Sequence, residues 1–131
     1  MILPCEIAVK SVVPAVRALI AKELVEKRGL KQDEVAEILG VSQSAVSKYT
    51  RKVRGYVIKI DDMKEIDPLI DEMTGLLVSG TYRRSEFLKC FCQTCALIRK
   101  TGLMCQFCKK ADQKIYIEEC GLCLKSNLPQ E

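Results

Sequence analysis

Seven of the eight cysteines lie between Cys90 and Cys123. They read Cys90-Phe91-Cys92-Gln93-Thr94-Cys95, then nine residues, Cys105-Gln106-Phe107-Cys108, then eleven residues, Cys120-Gly121-Leu122-Cys123. A two-residue spacing lets both sulfurs of a pair turn toward one metal, on a knuckle or on one face of a helix turn. One such pair is a weak signal, but three pairs plus Cys90 within 34 residues point to metal or cluster binding. The chain has no His, so the usual nitrogen side-chain ligands are excluded. The candidate metal ligands are Cys90, Cys92, Cys95, Cys105, Cys108, Cys120 and Cys123. Zinc takes four thiolates in a closed tetrahedron, and an iron–sulfur cluster also takes four, so either leaves three cysteines over. The surplus suits a sensor, because spare thiols exchange as ligands or form disulfides when a cluster is lost. The Cys-Pro-x-Cys-Gly knuckles frequent in zinc ribbons are missing. An iron–sulfur cluster is therefore the favoured cofactor, with zinc as the alternative and a thiol–disulfide switch or inert thiols behind them. Lys89, Arg99, Lys100, Lys109 and Lys110 lie among the cysteines and are expected to offset thiolate charge and lower the thiol pKa values. Cys5, alone beside Leu3, Pro4 and Ile7, reads as a core residue.

A second set of residues carries a different chemistry. Ser42, Gln43, Ser44, Ser47, Lys48, Arg51 and Lys52 form a polar group in a segment, Ser42 to Ile60, that holds five Lys/Arg and no acid. They sit in the run Gln32-Asp33-Glu34-Val35-Ala36-Glu37-Ile38-Leu39-Gly40-Val41-Ser42-Gln43-Ser44-Ala45-Val46-Ser47-Lys48-Tyr49-Thr50-Arg51. A helix-turn-helix needs a small residue where its helices cross, and Ala36 supplies it. The tight turn needs a residue that tolerates positive φ, and Gly40 supplies that. Val35, Leu39, Val41 and Val46 are apolar positions that lock the two helices. From roughly Pro14 to Gly55 the chain resembles the phage-repressor-like (Cro/C1, XRE-like) regulators. The resemblance implies that the second helix of the motif enters the major groove of duplex DNA with its N-terminal residues at base edges. Gln43 then suits bidentate pairing with adenine, and Arg51 or Lys48 reaches guanine or phosphate. Ser42, Ser44 and Lys52 suit phosphate or sugar contacts, which position without specifying. The plainer alternative is a trihelical core with a merely solvated basic face. The whole architecture resembles regulators of archaeal or bacterial type that join such a head to a cysteine-rich sensor.

The elements that hold these residues read as follows. Pro14 suits the first turn of a helix carrying Val16, Leu19, Ile20, Leu24 and Val25 at helical spacing, stopped by Gly29. A second helix runs from about Gln32 to Leu39. Ser42 caps a third, with Ala45, Val46 and Tyr49 inward, stopping near Gly55. Tyr56 to Ile60 is a short strand or an extended connector, with the wing of a winged helix as a lesser option. Asp67 as N-cap and Pro68 in the first turn open a further helix, whose stripe Ile70, Met73, Leu76 and Leu77 extends upstream to Met63 and Ile66 and ends at Gly80. That stripe is either core or a dimer seam, since regulators of this kind bind near-palindromic sites as homodimers. Ser85 caps a helix carrying Phe87, Leu88, Phe91, Leu97 and Ile98, ended by Gly102, with Cys92 and Cys95 on one face. Ala111 to Cys120 leaves strand and helix both open.

The fold class expected is mainly α: a helix-turn-helix domain at 1–61, an amphipathic connecting or dimerisation helix at 62–80, and a small cysteine-rich metal- or cluster-binding region at 81–131. The charges divide similarly, with eleven Lys/Arg against seven acids up to Asp61, one against five from Asp62 to Gly80, and nine against five thereafter. A region as small as the last cannot bury much core, so a metal would contribute folding energy there. Nearly half of the 131 residues are apolar but Trp is absent, so the core must be aliphatic. No secretory leader and no run of about 20 apolar residues is visible, so a cytoplasmic location without membrane partners is expected. Catalysis is not expected. Without His no Ser/His/Asp arrangement exists, no phosphate-binding Gly-rich loop appears, and no βαβ pattern surrounds a Cys-x-x-Cys pair as a thiol oxidoreductase would require. The function expected is DNA-binding transcription regulation that senses redox or iron–sulfur status.

Overall fold

A computed structural model of the chain describes residues 3–51 and 58–111. Within them the fold is mainly α, with no strand. The helices are α1 (Pro4–Lys10), α2 (Val12–Glu26), α3 (Gln32–Leu39), α4 (Gln43–Thr50), α5 (Asp67–Ser79), α6 (Arg84–Lys100) and α7 (Cys105–Ala111), with a 3₁₀ turn at Lys64–Ile66.

The centre of the molecule is α2. Val12, Ala15, Val16, Ala18, Leu19, Ile20, Ala21 and Leu24 are all buried, so this helix is apolar on nearly every side rather than along one stripe. A helix of that kind is stable only when enclosed, and α1, α3, α4, α5 and α6 all pack against it. It begins at Val12, which places Pro14 in the first turn as the sequence suggests, where backbone N–H groups have no intrahelical partner. α1 has no signal in the sequence pattern. Its end is pinned by the Ser11 hydroxyl, which donates to the Ile7 carbonyl at 2.7 Å, and α1 packs on both α2 and α7.

The α3–α4 unit is built by local chemistry. Glu34 reaches back to the Lys31 N–H at 3.1 Å, and Asp33 and Glu34 sit in the first turn, where negative charge meets the positive end of the helix dipole. Gly40 closes α3 at φ 69°. The Val41 N–H then returns to the Ala36 carbonyl at 3.0 Å and the Gly40 N–H to Glu37 at 3.3 Å, the pair of bonds that defines a Schellman end. Ser42 is extended and its Oγ accepts from the Ala45 N–H at 3.0 Å, so the next helix starts at once.

Beyond α4 the sequence expectations need adjusting. The third helix ends at Thr50 with Arg51 as its C-cap; Gly55 lies outside the described residues, as do Tyr56 and Val57. Ile58 and Ile60 are buried on either side of exposed Lys59, the alternation of a strand, but no partner strand pairs with them among the described residues and the segment is a connector. Asp67 is not an N-cap. It has helical φ −53° and ψ −47° and no side-chain cap bond opens α5, because the preceding 3₁₀ turn runs straight into the helix. Likewise α6 starts at Arg84 with Arg83 before it, so Ser85 lies inside the helix.

The α5 stripe is largely core, with Leu76 half-buried outside the core cluster. Ile66, Ile70, Met73 and Leu77 are buried, and α5 packs against α6 and α2 of the same chain. Buried Thr74 accepts from Arg28 Nη2 at 3.3 Å and donates to the Asp71 carbonyl at 3.0 Å, tying the end of α2 to α5. One hydrophobic cluster runs from Ile7 through Val46 and Met73 to Cys90, Ile98 and Met104. The described part of the cysteine-rich region therefore shares the core of the head instead of depending on a metal alone. No helix of the described residues is long and apolar enough to cross a membrane.

Candidate nucleic-acid interface and cysteine cluster

Ala45, Val46 and Tyr49 turn α4 onto the core, which determines what the opposite face presents. At about 100° per residue, Gln43, Ser47, Arg51, Ser44 and Lys48 fall within an arc of roughly 140° facing away from the buried positions. Gln43, Ser44 and Arg51 are exposed, and Ser47 and Lys48 are half-buried. Arg51 Nε donates to the Ser47 carbonyl at 3.4 Å, which anchors the base of a side chain whose terminal nitrogens stay available. Ser42 is exposed, but its oxygen already caps α4; only its hydroxyl proton remains to give to a phosphate. Six of the seven sequence-selected residues are thus brought together on or beside one helix face, and Lys52 lies outside the described residues. The face can donate hydrogen bonds from Gln43, the serines, Lys48 and Arg51, and nothing acidic on it repels phosphate.

The cysteines are distributed less uniformly than their spacing implies. On α6, Cys92 is exposed and Cys95 half-buried; on α7, Cys105 and Cys108 are half-buried. Each of these pairs occupies one turn of its helix, as a two-residue spacing allows. Cys90 differs. It stands about 200° around α6 from Cys92, is buried, and lies one turn before buried Thr94, whose hydroxyl donates to the Cys90 carbonyl at 2.8 Å. Among the described residues no three cysteine or carboxylate side chains converge on one point. Cys120 and Cys123, with the whole of 112–131, lie outside the described residues.

The thiol chemistry also departs from the expectation that basic neighbours lower the pKa values. Burial pushes the Cys90 thiol up, and a hydrogen bond to Glu72 adds to the effect while Lys89 opposes it weakly. Burial pushes Cys95 up to about 12, with Cys92 adding and Arg99 opposing. Desolvation of a thiolate outweighs a cation one helical turn away when the sulfur faces packed side chains. Cys5 is a further correction, since it is exposed on α1 while its neighbours Ile7 and Ala8 take the core positions.

A groove between α2, α3, α5 and α6 has no counterpart in the sequence reading. Its lining residues run from Val13 to Phe91, too far apart in the chain for any spacing to bring them to notice.

Residues 22–66 match the helix-turn-helix family model, of the Cro/C1 type. The match takes in the last third of α2, all of α3 and α4, and the connector through the 3₁₀ turn. It starts later and ends later than the resemblance at Pro14 to Gly55, and covers under half of the chain. It supports a DNA-binding transcriptional regulator. No curated protein and no solved structure matches the chain.

Proposed function

We propose that this chain is a sequence-specific DNA-binding transcriptional regulator whose α4 enters the major groove. The observation that carries the reading is the acid-free polar arc of α4, held outward by the Gly40 turn, the Ser42 cap and the burial of Ala45, Val46 and Tyr49. Gln43 and Arg51 read base edges, Lys48 reaches guanine or phosphate, and Ser42, Ser44, Ser47 and Lys52 position the helix on the backbone. A good side-chain-to-base pair contributes about 1–3 kcal/mol of discrimination, or roughly 5- to 150-fold in affinity. The test is selection of a binding site from random duplexes, followed by titration of Gln43→Ala, Arg51→Ala and the control Glu26→Ala. Both α4 variants are expected to lose affinity by factors in that range while the control does not. Unchanged binding in both would sink the assignment.

The same reading extends to the tail. The Cys92/Cys95 and Cys105/Cys108 pairs, each on one helical turn and none fully buried, form with Cys120 and Cys123 the six thiols from which an iron–sulfur cluster would take its four. Cys90, buried on the other side of α6, is the least suited of the seven. Such a cluster supplies a redox- or iron-dependent local event that biases the protein between two states. Structural zinc on the same thiols is the second reading. Anaerobic purification with iron, sulfide and zinc analysis separates them: matched iron and sulfide supports sensing, and stoichiometric zinc in colourless protein replaces it. A homodimer on a near-palindromic site belongs to this function, and its seam uses a surface other than the α5 stripe, which the protein's own core occupies.

A further inference from the structure

The groove of ≈ 720 Å³ that opens between the helix-turn-helix unit and the cysteine helix lies within the size range of small-molecule sites, which are concave and mostly apolar with a few placed polar groups. We propose that it binds an organic anion with a flat, apolar body.

Shape and charge both point to that chemistry. Tyr82, Phe87 and Phe91 form one wall, a row of rings with successive centroids 6.1 Å and 6.0 Å apart. Such a row presents broad faces and edges to a planar group. Ile38 and Leu88 stand at the rim, and they and Tyr82 are among the few large apolar side chains left exposed. Exposed apolar side chains gathered around a concavity mark a binding surface more often than singly scattered ones do. The ionisable cationic groups of the lining are Arg17 on α2 and Arg84 on α6, and no lining residue is acidic. Neither guanidinium makes a hydrogen bond or ion pair among the described residues. Two arginines without partners beside an aromatic wall fit a carboxylate, which a guanidinium holds with two parallel N–H donors.

The position of the groove gives the ligand a consequence. Ile38 and Leu39 precede the Gly40 turn, while Phe87, Leu88 and Phe91 lie on the helix that carries Cys92 and Cys95. An occupant touches the DNA-reading unit and the cysteine helix at once, so it is placed to couple them.

The experiment uses 2-naphthoate and its uncharged counterpart 2-naphthamide as probes, read by anisotropy of the naphthyl emission. The chain has no Trp, so that emission stands clear of the protein's own. Saturable one-to-one binding of naphthoate, at least tenfold tighter than naphthamide, is expected. The double variant Arg17→Met and Arg84→Met keeps the apolar stems and should abolish the tenfold preference while leaving naphthamide unchanged. Leu88→Glu, at a site 43% exposed, should block both probes with no loss of thermal stability. Equal binding of the two probes, or indifference of naphthoate to all three substitutions, overturns the proposal. So does the outcome in which naphthoate fails to bind and Leu88→Glu turns a dimer into a monomer by sedimentation, which assigns the groove to a second copy of the chain. No DNA enters the assay, so its failure and failure of the DNA-binding reading are distinct results.

Discussion

The same substitution, Gly to Ala, should move stability in opposite directions at two positions of this fold. Gly40 has φ 69°, and a Cβ built there meets nothing within 4 Å. Its replacement by Ala adds no clash and removes no hydrogen bond, so the whole effect is the backbone cost of an L-residue in the left-handed region, about 1–2 kcal/mol. Gly75 lies inside α5, where the missing Cβ leaves the unfolded chain extra freedom. A Cβ at Gly75 lies 3.7 Å from Arg28 Nη2, an ordinary contact, so Ala should stabilise by about 0.5–1 kcal/mol. The two variants should therefore differ by roughly 2 kcal/mol, close to 4–8 °C in melting temperature for a domain of this size. Urea unfolding at equilibrium reads the difference directly, and unchanged m-values would show that both act on the folded state or on local chain entropy and not on compactness. Gly40→Asn should fall between Ala and Gly, because Asn tolerates this conformation better than other side chains. A neutral Gly40→Ala would mean that the turn does not need positive φ. A destabilising Gly75→Ala would mean that Arg28, which binds Thr74 and the Asp71 carbonyl, cannot yield the space.

Met73 is fully buried while Val78 on the same helix is 45% exposed, so Met73→Ala should cost about 2–5 kcal/mol and Val78→Ala under about 0.5 kcal/mol in urea unfolding at low protein concentration; equal effects would return the α5 stripe to an intermolecular role. Metal-free protein should lose stability as pH rises from roughly 8.5 toward about 12. The unfolded Cys95 thiol gives up its proton first, so the unfolded state binds fewer protons and the slope of stability against pH is negative. Urea midpoints at pH 8 and pH 10 read this, and a Cys95→Ala variant with the same slope as the parent would refute it.

Much of the head was legible because its signals are local. The bounds of α3, the Gly40 turn and the Ser42 cap depend on groups within five residues of one another, and a propensity or a hydrogen bond at that range survives whatever packs around it. Once Ala45, Val46 and Tyr49 were assigned inward, the outward face of α4 followed from helix geometry. Local signals are overridden where a neighbouring element intervenes. Asp67 has the chemistry of a cap, but the 3₁₀ turn at Lys64–Ile66 already delivers the chain in helical conformation. The brief α1 shows little periodicity of its own and is held by α2 and α7.

The division between the two levels is clearest among the cysteines. Residue type and spacing alone establish that the chain offers paired thiolates and no imidazole. They establish the polar, acid-free character of the α4 segment in the same way. Packing between distant helices turns Cys90 to the core and Cys5 to solvent, raises the Cys90 and Cys95 thiols by burial despite nearby cations, and closes the protein's own core with the α5 stripe. The same holds for the groove that joins Arg17 to Arg84. The physical reason is common to all of these. Exposure, desolvation and concavity depend on which distant surfaces meet, and α2, enclosed by five other helices, is where those meetings are arranged.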